Sequence, residues 1–340
     1  MDTKEFNVSL IIPFNGEHDG LLQIVSSISH WLHKPSEIII VNTEINPCSN
    51  LMLELKKFID NKAITLKLFE KPGAFPGEAR NIAIHQCSHQ LIAFLDSKTI
   101  PTKIWLSESL KKIQMSSLDI IWGSTSYEAN TFLEKAIKYS TYGSHPLKTL
   151  PGSLIKKEVF FKVGFFLESI RAGEDGDWMS RTLLHKIKSS DSKENLLYQN
   201  LLGSSIASIA KKWFRNYYVS ARLPHLKTQK DIYFYFISAL LILIAYNWNN
   251  LSYDASISGW NLDSIFYIPN VTTISLKVIL GLYFVFRCIL FPKFKGVTIK
   301  ETIYKLPAII LISVILDLIK SVAFFMGRFH NFVIRFHIKS

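Results

Sequence analysis

Along the first hundred residues, short uninterrupted apolar runs alternate with segments whose apolar positions recur every three to four residues. Val8–Phe14 (VSLIIPF), Glu37–Val41 (EIIIV), Ile64–Phe69 and Leu91–Leu95 (LIAFL) have the length and continuity of buried strands. Between and after them, Leu21–Trp31, Leu51–Ile59, Glu78–Gln86 and Ile104–Met115 carry helical spacing. Pro72, Gly73, Pro76 and Gly77 mark the loop before the third helix. Strands alternating with helices predict an α/β fold with a mainly parallel sheet covered on both faces. Such sheets bind ligands beyond the carboxyl ends of their strands. That rule directs attention to Phe14-Asn15, Asn42-Thr43-Glu44 and Asp96-Ser97-Lys98.

The pattern changes in the second half. Ser189–Asn195 is polar and turn-rich, and it predicts the end of a first domain over residues 1–190. Residues 191–230 read as a linker with interfacial helices, because Ile206–Tyr218 mixes Lys211, Lys212 and Arg215 with Trp213, Phe214, Tyr217 and Tyr218. Residues 231–340 are a hydrophobic, helical membrane region with candidate spans at 232–248, 274–291 and 306–326. Asp317 and Lys320 interrupt the third run one helical turn apart, a spacing that lets them pair. The loop after the first run holds Asp254 and Asp263 and no cation, whereas the loop after the second holds Lys293, Lys295, Lys300 and Lys305. The positive-inside rule therefore leaves residues 1–230 cytosolic. Arg328, Arg335 and Lys339 conflict with a complete third crossing, so that run reads as re-entrant or interfacial, or else the rule fails there.

Composition fits two environments in one chain: 48% of the 340 residues are hydrophobic and 19% charged. The formal charge of +12 is compatible with nucleic acid, anionic lipid or an acidic substrate. No nucleic-acid-binding signature accompanies it, which favours a basic surface at an anionic membrane, with no nucleic acid expected as partner. Three cysteines (Cys48, Cys87 and Cys288) without paired short spacing argue against a disulfide framework or a zinc site. The N-terminus enters a strand directly, without the pattern of a signal peptide.

Five stretches, VSLIIPFNG (8–16), EIIIVNTE (37–44), PGEARNIAI (76–84), LIAFLDSKTIPTKIWL (91–106) and RAGEDGDWMSR (171–181), resemble in order and spacing the inverting family 2 glycosyltransferases of GT-A fold. The resemblance covers about residues 7–185. It implies transfer of a sugar from a nucleoside diphosphate sugar to a lipid-linked or other membrane-associated glycan acceptor, in cell-surface polysaccharide or glycolipid synthesis. It implies Asp175 as the base on the acceptor hydroxyl and Glu174 as its catalytic neighbour. Phe14, Asn15, Asn42, Glu44, Arg80, Asp96 and Lys98 fall at the donor-binding positions, and Ser153 and Trp178 on the acceptor side. Trp178 reads either as an acceptor platform or as core.

Two positions depart from the family pattern. Asn42 stands where an Asp usually reads the nucleobase, and its amide offers a different donor and acceptor set. Lys98 stands where the last carboxylate of Asp-x-Asp holds a divalent cation, Mg2+ or Mn2+, under the diphosphate. Asp96 is then the sole remaining metal-ligand candidate, while the Lys98 ammonium can neutralise a diphosphate oxygen itself. The alternatives are a catalytically silent nucleotide-sugar-binding subunit of a membrane complex and a processive polysaccharide synthase. No Gln-x-x-Arg-Trp signature of processive members surrounds Trp213, which favours single addition.

Overall fold

The computed structural model describes residues 6–16, 18–47, 50–59, 64–200, 202, 205–226, four positions between 235 and 242, and 273–337. The candidate span 232–248 and the loop 249–272 therefore lie almost wholly outside the described residues. Two compact units divide the chain: residues 1–129 with 145–202, and residues 130–144 with 203–340.

The first unit is an eight-stranded sheet in the order β3-β2-β1-β4-β7-β6-β8-β5. Strands β1 (Val8–Phe14), β2 (Glu37–Asn42), β3 (Thr65–Glu70) and β4 (Leu91–Phe94) are parallel, as their sequence pattern predicts. Beyond β4 the sheet is mixed. β7 (Leu147–Lys156) runs antiparallel to both β4 and β6 (Ile120–Tyr127), and β8 (Ser189–Tyr198) is parallel to β6. The two-residue β5 (Thr99–Ile100) closes the edge on β8.

Alternation along each strand sorts side chains to the two faces. Leu10, Ile12, Ile38 and Ile40 pack under α1 (His18–Ser27), α2 (Leu51–Phe58) and α4 (Trp105–Met115). Ile11, Ile39, Val41 and Phe94 pack under α3 (Pro76–Gln86), α6 (Glu158–Val163) and α7 (Glu174–Leu184). The result is a three-layer α/β/α core in which both faces of the central strands are buried, which explains why they read as continuous apolar runs.

Two expectations need correction here. Ser189–Asn195 is not a boundary loop but most of β8. Its side chains are mostly polar and partly exposed, so backbone pairing and polar contacts such as Asn195 to Ser126 hold it in the sheet and no hydrophobic period announces it. Similarly, Ser153, expected on the acceptor side, lies within a strand, β7. Pro151-Gly152 sits at an irregularity of the β6–β7 register, where a Cβ at Gly123 would lie 1.9 Å from the Pro151 carbonyl oxygen. Glycine is required there because two backbones touch, and a bulge is where a sheet tolerates Pro and Gly.

The second unit is helical. It contains α5 (Phe132–Thr141), α8 (Ile206–Arg222) and α9 (Thr273–Phe284), the last continuing through a π-helical stretch (Val285–Leu290) into α10 (Phe291–Phe294). Next come α11 (Ile299–Tyr304) and α12 (Leu306–His337). Among the described residues one helix, over Leu306–Asn331, is long and apolar enough to cross a membrane by length and composition.

At the amino end of the sheet, away from the strand ends that face ligand, Glu37 is buried. Burial alone would push its carboxyl up, but Lys67 at 2.7 Å, the Ser9 hydroxyl and the Ser88 amide and hydroxyl outweigh it and hold the group below the usual range. A carboxylate with a lowered folded-state pKa contributes stability above its unfolded pKa and loses it as pH falls through the folded one. Glu37→Gln should therefore cost about 1–3 kcal/mol near pH 7. The deficit relative to wild type should shrink as pH drops through the carboxylate range, as denaturation at several pH values will measure.

Candidate active site

The site is built where the strands end, and its centre is a buried cation. Arg80 lies on α3, whose start is set by Phe75 in extended conformation and Pro76 in the first turn. Its guanidinium donates through Nη1 to Glu174 Oε1 at 2.8 Å and through Nη2 to Asp96 Oδ1 at 3.2 Å, and it lies 5.7 Å from the Phe166 ring centroid. Burial disfavours the charge, but Asp96, Glu174 and Asp175 more than compensate and push its pKa further up. Burial raises the pKa of Glu174 against the pull of Arg80, with Asp175 adding to the rise.

Neighbouring side chains hold this arrangement in place. Asn81, next to Arg80, donates to the Phe166 carbonyl and to Glu168 at 2.9 Å and accepts from the Phe166 amide at 3.0 Å. That clamps the loop before α7. The loop enters α7 through Gly173 at φ +83°, a left-handed conformation for which glycine carries no Cβ penalty. Glu174, Asp175 and Asp177 then fall in the first turn of α7, where the helix dipole favours negative charge. Asp175 is half-buried, and one of its oxygens accepts its neighbour Gly176's amide at 2.7 Å. Glu174, by contrast, is buried and turned to Arg80, so it positions that cation rather than facing an acceptor.

Asp96 opens a tight turn: the Thr99 hydroxyl donates to the Asp96 carbonyl at 2.7 Å, and the Thr99 amide donates there at 2.9 Å. The half-buried Lys98 lies inside this turn, and its carbonyl accepts from the Gln199 amide at 2.9 Å. The turn presses against α1, where a Cβ on Gly20 would come within 2.2 Å of the Ser97 carbonyl oxygen. The second Asp96 oxygen, Oδ2, accepts from the Tyr198 hydroxyl at 2.9 Å, and Tyr198 stacks on Tyr127. Burial raises the pKa of both phenols, and Asp96 adds to the rise in each, so both stay protonated.

This donor set does not fit a divalent cation. Both Asp96 oxygens already accept from protein donors, and position 98 supplies an ammonium instead of a carboxylate. Among the described residues no three His, Cys, Asp or Glu side chains converge on a common point.

The carboxyl ends of β1 and β2 form the other part of the site. Asn15 donates to the Thr43 hydroxyl at 2.9 Å, and that hydroxyl donates to the Phe14 carbonyl at 3.0 Å. Phe14 is buried with its ring edge-on to His18, which contacts Glu44 Oε1 at 3.2 Å. Asn42 Oδ1 accepts from the Glu44 amide at 3.0 Å. Asn42 Nδ2 and Glu44 Oε2 are buried atoms without a protein partner. Unpaired buried polar atoms are costly, and a donor and an acceptor left open at strand ends suit a polar ligand.

Two expected acceptor-side residues do not belong to this surface. Trp178 is fully buried, stacked on Phe160 and packed on Trp122 and Phe166, with its indole N–H donating to the Gly164 carbonyl at 2.7 Å. Ser153 is fully buried in β7, and its hydroxyl is used by the Leu150 carbonyl. Tyr127 and Tyr198 were missed as site residues, and Thr43, although among the strand-end residues, was given no role. The tyrosines lie on β6 and β8, neither read as a strand, although the two aromatics at the ends of those segments were a usable signal.

With the geometry in place, the comparisons with known proteins are direct. Residues 9–170 match the family described as Glycosyl transferase family 2. An uncharacterized glycosyltransferase of Rickettsia bellii is 29% identical over 58% of this chain and 30% of its own length. The glycosyltransferase AglE of Haloferax volcanii is 24% identical over 51% of this chain and 60% of its own. The chain thus aligns with less than two thirds of each of these relatives. Among solved structures, the mannosyltransferase PcManGT from Pyrobaculum calidifontis, in complex with GDP-Man and Mn2+, superposes with a TM-score of 0.54. It is 11% identical, over 92% of this chain and 88% of that one, which establishes the shared GT-A fold. Asp96 and Lys98 lie inside the matched segment, whereas Glu174, Asp175 and Tyr198 follow it.

Arg80→Gln should cost about 3–5 kcal/mol, because it leaves Glu174 buried without its partner. Adding Glu174→Gln should recover part of that loss. Chemical denaturation of the two variants and wild type measures both effects, and a double variant no better than the single would show that Glu174 is not the charge Arg80 balances.

Proposed function

We propose that the chain is a membrane-attached glycosyltransferase. It moves a sugar, with inversion, from a nucleoside diphosphate sugar to a lipid-linked or other membrane-associated glycan acceptor, in cell-surface polysaccharide or glycolipid synthesis. The observation that carries the reading is the Arg80 knot. It brings Asp96 and Glu174, 78 residues apart in sequence, to one guanidinium, with Asp175 adjacent at a helix N-terminus.

The division of labour follows from charge and exposure. Asp175 is the half-buried carboxylate with room to accept the acceptor hydroxyl's proton, and acceptor binding desolvates it further and strengthens it as a base. Glu174 and Asp96 fix Arg80. Lys98, in the turn after Asp96, supports neutralisation of the departing diphosphate as a point charge, a task the resembled family gives to Mg2+ or Mn2+. The open Asn42 amide and Glu44 carboxylate atoms suit the edge of a nucleobase, with Phe14 and Asn15 shaping the pocket from β1. Attachment to the membrane, with the catalytic unit on the cytosolic face, rests on the basic and apolar C-terminal half.

One feature favours a second reading. Lys98 breaks the metal-ligand pattern, as a catalytically silent nucleotide-sugar-binding subunit would tolerate. Asp175→Asn separates the two. Against a panel of nucleotide sugars with membrane extract as acceptor, transfer should fall by about 10²–10⁴ while donor binding persists. Donor binding without transfer in the wild-type chain would establish the silent subunit instead.

A further inference from the structure

The long apolar helix α12 has two unlike sides. Its exposed large side chains, Leu311, Leu318, Val322, Phe325, Met326 and Phe329, are all apolar and form one stripe at helical spacing. Asp317 and Lys320 are buried on the opposite side. There Asp317 accepts from Tyr283 at 2.7 Å, from Arg287 at 2.9 and 3.2 Å, and from Lys320 at 3.3 Å.

Polar helices line that opposite side along its length. Near the first half is α5: its Tyr139 shares an apolar cluster with Ile309, and its Ser140 carbonyl accepts from Arg287 at 3.0 Å. Along the second half runs α8. Lys320 lies 4.8 Å from the Trp213 ring, a Cβ on Gly327 would meet the Tyr218 carbonyl oxygen at 2.4 Å, and Asn331 donates to the Arg222 carbonyl at 3.2 Å. Positions 213, 218 and 222 thus follow 320, 327 and 331 in the same order, so the two helices lie side by side and point the same way. α8 carries Lys211, Lys212, Arg215 and Arg222, and α5 carries Glu134, Lys135 and Lys138.

If α12 crossed the bilayer, its neighbours would bring these charges into hydrocarbon with it, which is costly for each one. Lying flat, the same assembly puts the apolar stripe in the acyl boundary and leaves the cations of α8 at headgroup level, where anionic lipid attracts them. We propose that α12 is an in-plane anchor seated in the anionic leaflet on the side of the catalytic unit, and does not span. The proposal rests on the membrane-attachment reading above and adds its geometry. It also removes the conflict in the charge pattern: Lys293, Lys295, Lys300 and Lys305 come to the same side as Arg328, Arg335 and Lys339.

The test uses the full chain in sealed, oriented membrane vesicles and a membrane-impermeant maleimide. Lys300→Cys precedes α12 at an exposed position, and Ser340→Cys follows it; both are made in a Cys48→Ser chain, whose remaining Cys87 and Cys288 are buried and which itself serves as the blank. Both introduced thiols should label from the same face, to a similar extent, before permeabilisation. Labelling of one before and the other only after permeabilisation would overturn the in-plane geometry. Recovery of the chain entirely outside the membrane fraction would overturn the attachment reading itself, a separate outcome that the same fractionation detects.

Discussion

The buried guanidinium of Arg80 is the charge around which the N-terminal unit is arranged. A cation removed from water must be matched, and Glu174 at 2.8 Å and Asp96 at 3.2 Å match it from two distant parts of the chain. Meeting that requirement fixes three things together: the start of α7 and hence Asp175, the Asp96–Thr99 turn and hence Lys98, and the Phe166 loop between them. Tyr198 completes the arrangement by holding the other Asp96 oxygen from a different strand. Such over-determined polar networks specify one geometry because each partial version leaves a buried group unsatisfied.

The same network explains why a lysine is compatible with position 98. An Asp96 carboxylate committed to Arg80 and Tyr198 is a poor start for a cation site, and a second carboxylate there would add negative charge to a cluster that already holds Asp96, Glu174 and Asp175. In the proposed function an ammonium at position 98 reverses that balance toward a bound diphosphate. Burial and charge thus favour a fixed protein cation over an exchangeable one.

Much of this was legible in the sequence. The first four strands and their helices could be read because both faces are buried and the apolar runs are continuous. Arg80, Asp96 and Glu174-Asp175 could be picked out at strand and helix ends, although their convergence depends on tertiary packing. What escaped was the mixed half of the sheet. β8 is polar because its sides meet solvent, and β7 contains Pro151-Gly152, which reads as a turn and is accommodated by a bulge opposite Gly123. With those strands hidden, Tyr127 and Tyr198 had no place, Ser153 was given to the acceptor side although it is core, and Trp178 stayed open between acceptor platform and core. In the second unit, the expected Asp317–Lys320 pair is present, but Arg287 and Tyr283 joining it could not be read from spacing alone.

The central claim is that a fixed cation, Lys98 in the turn that Arg80 holds through Asp96, supports the electrostatic work at the diphosphate. Its most direct test is nucleotide-sugar binding by the full chain, followed as a thermal shift with and without chelator, in wild type and Lys98→Asp. The account predicts a wild-type shift that the chelator leaves unchanged, and a variant shift that is lost without metal and restored by Mn2+ or Mg2+. A wild-type shift that vanishes with chelator and returns with either metal would contradict it.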